Sequence, residues 1–288
     1  MRASRPAIEP MIATRWNQEA PYNDLCPELD GHRCPTGCVA TAMAQVMRYH
    51  SWPDKGTGSH SYSWKGSTLS FDFGATTFDW NAMTDRYDAS STEAAKTAVA
   101  TLMYAAGVSV DMQYTASESG AVSREMGRAL TSYFGYDHGL WMANRDYYGL
   151  NEWEELVYGE LSEGRPVLYG GTGSAGGHQF VCDGYSADGY FHFNWGWGGM
   201  SDGYFDMNAL EPYGAGGVNY YRDQDMIAYI HPGDPDADNT SYTAPLSVFN
   251  LRVCRAYTMR EMPYEIFEAE FDDNGRLVED TPSFAIAF

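Results

Sequence analysis

Pro35-Thr36-Gly37-Cys38-Val39-Ala40-Thr41-Ala42-Met43-Ala44-Gln45-Val46-Met47 is the stretch from which the fold can be read. Pro35 and Gly37 form a turn that no helix can run through from upstream, and a helical pattern starts at once with Cys38. Apolar side chains recur at Val39, Ala42, Met43, Val46 and Met47, the spacing of one buried stripe. Pro53 and Gly56 end the pattern. Cys38 therefore falls in the first turn, where unpaired N–H groups and the positive end of the helix dipole favour an anion. The thiolate is the nucleophilic form of cysteine, and a helix N-terminus is one way to lower its pKa. Taken alone, Cys38 reads first as a small buried residue opening a core helix.

A second stretch changes that balance. Gly176-Gly177-His178-Gln179-Phe180-Val181-Cys182-Asp183-Gly184-Tyr185 reads as a glycine turn feeding a strand that opens with histidine. Tyr190-Phe191-His192-Phe193-Asn194-Trp195-Gly196-Trp197-Gly198-Gly199 follows it. His178 lies 140 residues and Asn194 lies 156 residues after Cys38. A cysteine on a helix start, then a histidine, then Asn-Trp-Gly at about these distances is the order of papain-like thiol proteases. More narrowly, Thr36-Gly37-Cys38-Val39-Ala40-Thr41-Ala42, Gly176-Gly177-His178 and Asn194-Trp195-Gly196-Trp197-Gly198-Gly199 resemble the streptopain family of bacterial cysteine peptidases. Ala20-Pro21-Tyr22-Asn23, Gly107-Val108-Ser109-Val110-Asp111-Met112 and Ser201-Asp202-Gly203 share the likeness, which runs from about Ile8 to about His231.

Composition agrees with a globular chain: 44% of residues are hydrophobic and 15% aromatic. Lys and Arg total 18 against 39 Asp and Glu, a formal net charge of −21. Such a surface repels phosphate backbones and anionic lipid, so neither nucleic acid nor membrane insertion is expected. No run approaches eighteen apolar residues. Met1-Arg2-Ala3-Ser4-Arg5-Pro6 lacks the apolar core of a signal peptide. The resemblance implies a secreted zymogen whose signal and inhibitory pro-segment lie outside this chain. Besides Cys38 there are Cys26, Cys34, Cys182 and Cys254, which could pair, although a domain of this size needs no staples. Cys34 is the rival nucleophile, but it precedes Pro35 and lacks the helix terminus. A metal is not expected, because no second close Cys or His pair completes four ligands around Cys34 and Cys38. No cofactor is implied.

Along the chain, residues 8–34 read as an irregular entry segment and residues 53–81 as loops and short strands. Ser90 with Glu93 reads as a capping box opening a helix that ends at Gly107. A further helix is expected from about Ser119 to Gly135, and another from Asn151 to Gly164. From Pro166 the pattern turns to strands around Val167–Tyr169, His178, Tyr190, Gly203–Phe205 and Met226–Ile230. Helices first and strands later predict an α+β domain with a cleft between a helical half and a sheet half. The resemblance implies that this is the papain-like, two-lobed arrangement with an antiparallel sheet. Residues 1–232 are expected to form the catalytic domain. Residues 233–288, opening on a Pro- and Asp-rich linker, are expected to form a short β-rich extension, read as the start of a second domain cut short.

The chemistry implied is amide hydrolysis of protein or peptide substrates through a thiolate–imidazolium pair of Cys38 and His178 and a thioester acyl-enzyme. His192, between Phe191 and Phe193 in an alternating strand, reads as structural. The imidazole needs an orienting group, and Asn194 and Trp195 are both candidates, because neighbours on a strand face opposite ways. Trp197 is expected to wall the cleft. The oxyanion needs preorganised donors. The backbone N–H of Cys38 is one. A second glutamine donor is implied by resemblance at the position of His32 or of Gly170, and this chain has it at neither. His32, or backbone groups near Gly171 and Gly173, would then serve, or the oxyanion hole is weaker. The glycine-rich run 170–177, which includes Gly177, reads as a mobile cleft rim that lets a substrate backbone approach. The resemblance further implies a hydrophobic substrate residue two places before the scissile bond. Two alternatives remain: a papain-like amidase or transglutaminase-type acyl transferase, and a catalytically dead relative that binds peptides.

Overall fold

Helix α1 (Cys38–His50) begins where the sequence breaks, on Gly37 at φ 86° and ψ 144°. Val39 through Met47 are all buried, so the helix is enclosed on every side and not just on one stripe. The small residues at Ala40, Ala42 and Ala44 allow other elements to close in around it. Met43 and Met47 are wholly inaccessible, each contributing roughly 1.5–3 kcal/mol of burial. The turn before it is clasped by two hydroxyls: Thr41 Oγ1 lies 2.8 Å from Thr36 Oγ1 and donates to the Gly37 carbonyl at 3.0 Å.

The structure, a computed structural model, describes residues 5–174, 176–212 and 217–234. The expected extension lies outside these residues apart from Gly233 and Asp234. Before α1 runs a two-residue ladder, β1 (Glu28–Leu29) with β2 (His32–Arg33). After it come the hairpin β3 (Ser59–Trp64) and β4 (Ser67–Asp72), helix α2 (Glu93–Ser109), and a second short ladder, β5 (Gln113–Tyr114) with β6 (Ser119–Gly120). Helix α3 (Glu125–Tyr133), strand β7 (Trp141–Asn144) and helix α4 (Leu150–Ser162) follow. The remaining strands are β8 (Val167–Gly173), β9 (Gly176–Tyr185), β10 (Phe191–Asn194), β11 (Gly203–Phe205) and β12 (Arg222–Ala228). β7 to β12 make one antiparallel sheet in the order β11-β10-β9-β8-β12-β7.

Several boundaries differ from the sequence reading. α2 is capped by Thr92, whose Oγ1 accepts from Ala95 N at 3.2 Å, and not by Ser90. Ser90 instead bonds Asp88 in the preceding turn. The helix expected from Ser119 starts only at Glu125, because Ser119 and Gly120 pair with Tyr114 and Gln113. α4 starts at Leu150, with the Glu152 carboxylate accepting from Gly149 N. On either side of its tip the glycine run pairs as ladder, with Gly171 opposite His178 and Thr172 opposite Gly177. Gly171 is required because the Tyr220 carbonyl occupies the space that a Cβ would take.

Two apolar cores flank the sheet. One gathers α1, α2, α3 and the β3–β4 hairpin around Met43, Val99, Leu102 and Phe134. The other packs α4 through Trp153 and Val157 against Tyr169, Phe180, Phe193 and Trp195. The entry segment links them. Ile8 bridges to Tyr185 and Ile12 N donates to Asp183, while Thr14 and Trp16 bond Gln45 of α1. Asp183 also takes His192 Nδ1 at 2.6 Å, so His192 serves this anchor.

Candidate active site

The N-terminus of α1 meets β9 at a cleft of about 470 Å³ lined by Cys38, Gly171, Gly177 and His178 among others. Cys38 is half-buried and keeps an edge open to the cleft. Burial pushes its thiol pKa up. The backbone N–H groups of Gln179, Val39 and Cys38 itself act in the opposite direction by donating to sulfur. Gln179 follows His178 directly, so the same strand brings an amide donor to the sulfur and the imidazole to the same cleft.

His178 is buried, and its Nε2 lies 2.9 Å from the Trp195 carbonyl oxygen. A carbonyl can only accept, so Nε2 carries the proton and Nδ1 keeps the lone pair. The ring is held between aromatic faces: Trp197 stacks at 4.7 Å and Tyr220 packs at 5.1 Å. Burial in this cage lowers the His178 pKa to about 4, against the Trp195 carbonyl, which raises it. In a Cys38→Ala variant, which has no thiolate partner, the imidazole should stay neutral well below 6.5. Proton NMR of the ring resonances would then show a midpoint near 4. The sign follows from linkage: the unfolded chain takes up this proton at about 6.5 and the folded chain only at about 4. Folding stability from this group is complete above about 6.5 and drains as pH falls toward 4. A midpoint at or above 6.5 would contradict the cage.

The Asn194 side chain spends its hydrogen bonds elsewhere than on His178, in contrast to one of the two sequence expectations. Its Oδ1 accepts from Gln45 Nε2 at 2.9 Å and from Gly196 N at 3.1 Å, and its Nδ2 donates to the Thr14 carbonyl at 2.8 Å. With every amide atom engaged, Asn194 holds the turn that aims the Trp195 carbonyl. The Trp195 N–H donates to Asp202 Oδ1 at 2.9 Å, fixing the residue on its N-terminal side. Gln45 and Asp202 carry no catalytic signature in sequence, and long-range bonding alone reveals them. Gln45→Ala and Asn194→Ala should therefore produce the same defect. Each should lose about 1–3 kcal/mol of stability from stranded partners, and turnover should fall about tenfold. Combined, they should be clearly less than additive. An Asn194→Ala defect that Gln45→Ala fails to reproduce would restore a direct role for Asn194.

The other expected positions fall as follows. His32 is exposed in β2 and is not among the residues lining the cleft. Gly170 has its side-chain space filled by Gln179 and Asp225, whose oxygens lie 2.5 Å from where a Cβ would stand. Trp197 forms one face of the histidine cage. Cys34 is wholly buried and lies outside the cleft lining, and Cys26, Cys34, Cys38 and Cys182 are all free thiols. Cys254 lies outside the described residues. Among the described residues, no group of three or more His, Cys, Asp or Glu is disposed to hold a metal, and no helix is long and apolar enough to cross a membrane.

Known proteins resemble this chain in fold and sequence. Interpain A, a cysteine protease of Prevotella intermedia, superposes with a TM-score of 0.72 at 39% identity, over 77% of this chain and 94% of that one. The thiol protease/hemagglutinin PrtT of Porphyromonas gingivalis is 38% identical over 255 residues, 85% of this chain. Streptopain of Streptococcus pyogenes is 36% identical over 255 residues, 79% of this chain. The chain spans 29% of the length of PrtT and 64% of that of streptopain. The α+β fold is thus that of papain-like cysteine proteases. The model of the peptidase C10 family matches residues 16–205, and the chain belongs to that family.

Proposed function

We propose that this protein is a cysteine endopeptidase, with Cys38 as nucleophile and His178 as general base and acid. The observation that carries the reading is the hydrogen bond from His178 Nε2 to the Trp195 carbonyl, because it leaves Nδ1 free for the thiol proton in the cleft that Cys38 lines. Burial disfavours either charge alone, raising Cys38 and lowering His178. Transfer of the proton from Sγ to Nδ1 keeps the pair net neutral, and the mutual attraction is strong in a site sheltered from water. The thiolate attacks the peptide carbonyl, the C–N bond breaks as Nδ1–H protonates the leaving amine, and a thioester remains. Water, deprotonated by the same nitrogen, then releases the acid and restores the thiol. The N–H of Cys38 at the helix start serves the oxyanion.

We propose further that the protein is made as a secreted zymogen. In support, a prointerpain A fragment is among the similar solved structures, with a TM-score of 0.70 at 38% identity. Protein substrates and an inhibitory pro-segment are the partners this implies. The test is cleavage of denatured casein under reducing conditions, with and without a thiol-directed epoxide. Cleavage abolished by stoichiometric labelling of Cys38 is expected. Labelling at Cys38 with no cleavage of any protein would overturn the endopeptidase reading and leave an acyl transferase or amidase acting on smaller amides.

A further inference from the structure

The first half of β9 is held differently from the second. β10 pairs only with residues 181–185, so residues 176–180 have β8 as their one strand neighbour. Within that stretch the Gln179 main-chain N–H donates to Cys38 Sγ at the start of α1. The Gln179 side chain is buried and reaches sideways across the sheet. Asp225 of β12, Gly170 of β8 and Gln179 lie side by side on adjacent strands. Gly170 has no side chain, and Asp225 Oδ1 and the Gln179 amide meet above it, each 2.5 Å from where a Cβ would stand. A side chain at 170 would part them. Ser123 Oγ lies 3.0 Å from the same end of the amide. The orientation of an amide follows from the bonds it can make. With the nitrogen turned away from Asp225, both Gln179 Nε2 and Asp225 Oδ1 are buried without partners. With the nitrogen turned toward it, Nε2 donates to the carboxylate, and the cost of two stranded polar atoms selects this arrangement. Burial raises the Asp225 carboxyl to about 6, while hydrogen bonds from the Gln179 and Ser123 side chains act against the rise. At neutral pH Asp225 is therefore mostly ionised and accepts.

We propose that Asp225 is a positioning residue for the nucleophile: by holding the Gln179 side chain it keeps the Gln179 main-chain N–H on Cys38 Sγ, where a donor favours the thiolate. The proposal rests on the reading of Cys38 as nucleophile. His178 and Gln179 are successive residues of a strand, so their side chains leave it on opposite faces. The first is fastened to the Trp195 carbonyl and the second to Asp225. The stretch that lacks β10 is thus pinned from both faces at the point where it meets the thiol. A donor is worth more to a charged acceptor than to a neutral one, so misplacing this N–H penalises the thiolate more than the thiol. The negative charge of Asp225 acts the other way, because a carboxylate disfavours a second anion nearby. Position and charge therefore predict opposite signs when Asp225 is replaced.

The experiment reads the rate of Cys38 alkylation by iodoacetamide as a function of pH, with the labelled residue identified by mass spectrometry. It requires no peptide substrate. Gln179→Met keeps the length of the side chain without its amide, and Asp225→Leu removes the acceptor. Each should raise the alkylation midpoint by about one pH unit, a tenfold loss of thiolate below the midpoint, with the plateau rate at high pH unchanged. Asp225→Asn keeps an acceptor oxygen and should not raise the midpoint. His178, Glu118 and Asp223, the other titratable groups lining the cleft, are the same in all four proteins. Lower melting temperatures with unchanged midpoints would make the pair merely structural, and a midpoint lowered in both Asp225 variants would make Asp225 only a charge. Either result overturns the positioning role. The unmutated protein decides the matter even if the variants fail to fold. By NMR its Gln179 main-chain amide proton should move through the alkylation midpoint, and its Gln179 side-chain amide protons should move as Asp225 titrates near 6. Indifference of either would overturn the proposal. Unmutated protein that is not alkylated at Cys38 would overturn the peptidase reading instead. Protein cleavage with unshifted midpoints would leave that reading intact and remove this one.

Discussion

Cys38→Ala is expected to lower hydrolysis of denatured protein by at least about 10⁴-fold while shifting the melting temperature by no more than a degree or two. The rate loss is large because the nucleophile and its base act as a unit, so removing one forfeits nearly all that the pair supplies. No other described thiol can replace it. Cys34 and Cys182 are wholly inaccessible, and burial drives Cys26 up to about 12, so its thiolate is absent at neutral pH. The stability change is small because Cys38 is only half-buried and loses a single atom at the edge of an existing cleft. His178→Ala should cost about as much, and the double variant scarcely more than either single one. Measuring kcat/KM on one peptide across the three proteins, with calorimetric melting alongside, checks both statements. More than one per cent of the unmutated rate in Cys38→Ala would point to a different nucleophile.

Gly37→Ala should have the largest effect on stability, about 2–4 kcal/mol, with a fall in melting temperature of roughly 5–10 °C. Two independent costs add at this position. Gly37 sits at φ 86° and ψ 144°, a region closed to residues with a side chain. A Cβ would also stand 2.6 Å from Met112 Sδ and 2.9 Å from the Ser119 carbonyl. The methionine can swing aside, but the carbonyl is backbone in β6 and cannot move without opening its pairing with β5. Relief must come from the turn itself, and Cys38 is the next residue, so activity should fall at least tenfold in protein that still folds. Gly31→Ala is the internal control. It has φ 78° but nothing within 4 Å of a Cβ, so it should cost only about 1 kcal/mol. Chemical denaturation of the two variants reads the difference. Equal losses would mean that the contacts around Gly37 contribute nothing.

These two predictions draw on different kinds of information. The start of α1 was legible because its signals are local: Pro35 and Gly37 punctuate, and Val39, Ala42, Met43, Val46 and Met47 repeat at helical spacing. The pairing of Cys38 with His178 was legible only through resemblance, since 140 residues separate them. The expected helix from Ser119 failed in its first turns because a ladder with β5 claims Ser119 and Gly120, and no local pattern announces such a partner. The need for glycine at 171 was illegible for a similar reason: the Tyr220 carbonyl, distant in sequence, lies where a Cβ would stand.

What the sequence determined by itself was the helix that begins with a thiol, the α+β order of its elements, and the candidate residues Cys38, His178 and the Asn194-Trp195 pair. Tertiary structure alone decided that a main-chain carbonyl, from Trp195, accepts the imidazole hydrogen bond, that Asn194 and Gln45 hold the turn behind it, and that Asp225 and Gln179 meet over Gly170. The physical reason is that side-chain patterns encode local geometry and burial. A backbone carbonyl looks the same at every position, and acquires a role only when pairing between distant strands sets its direction.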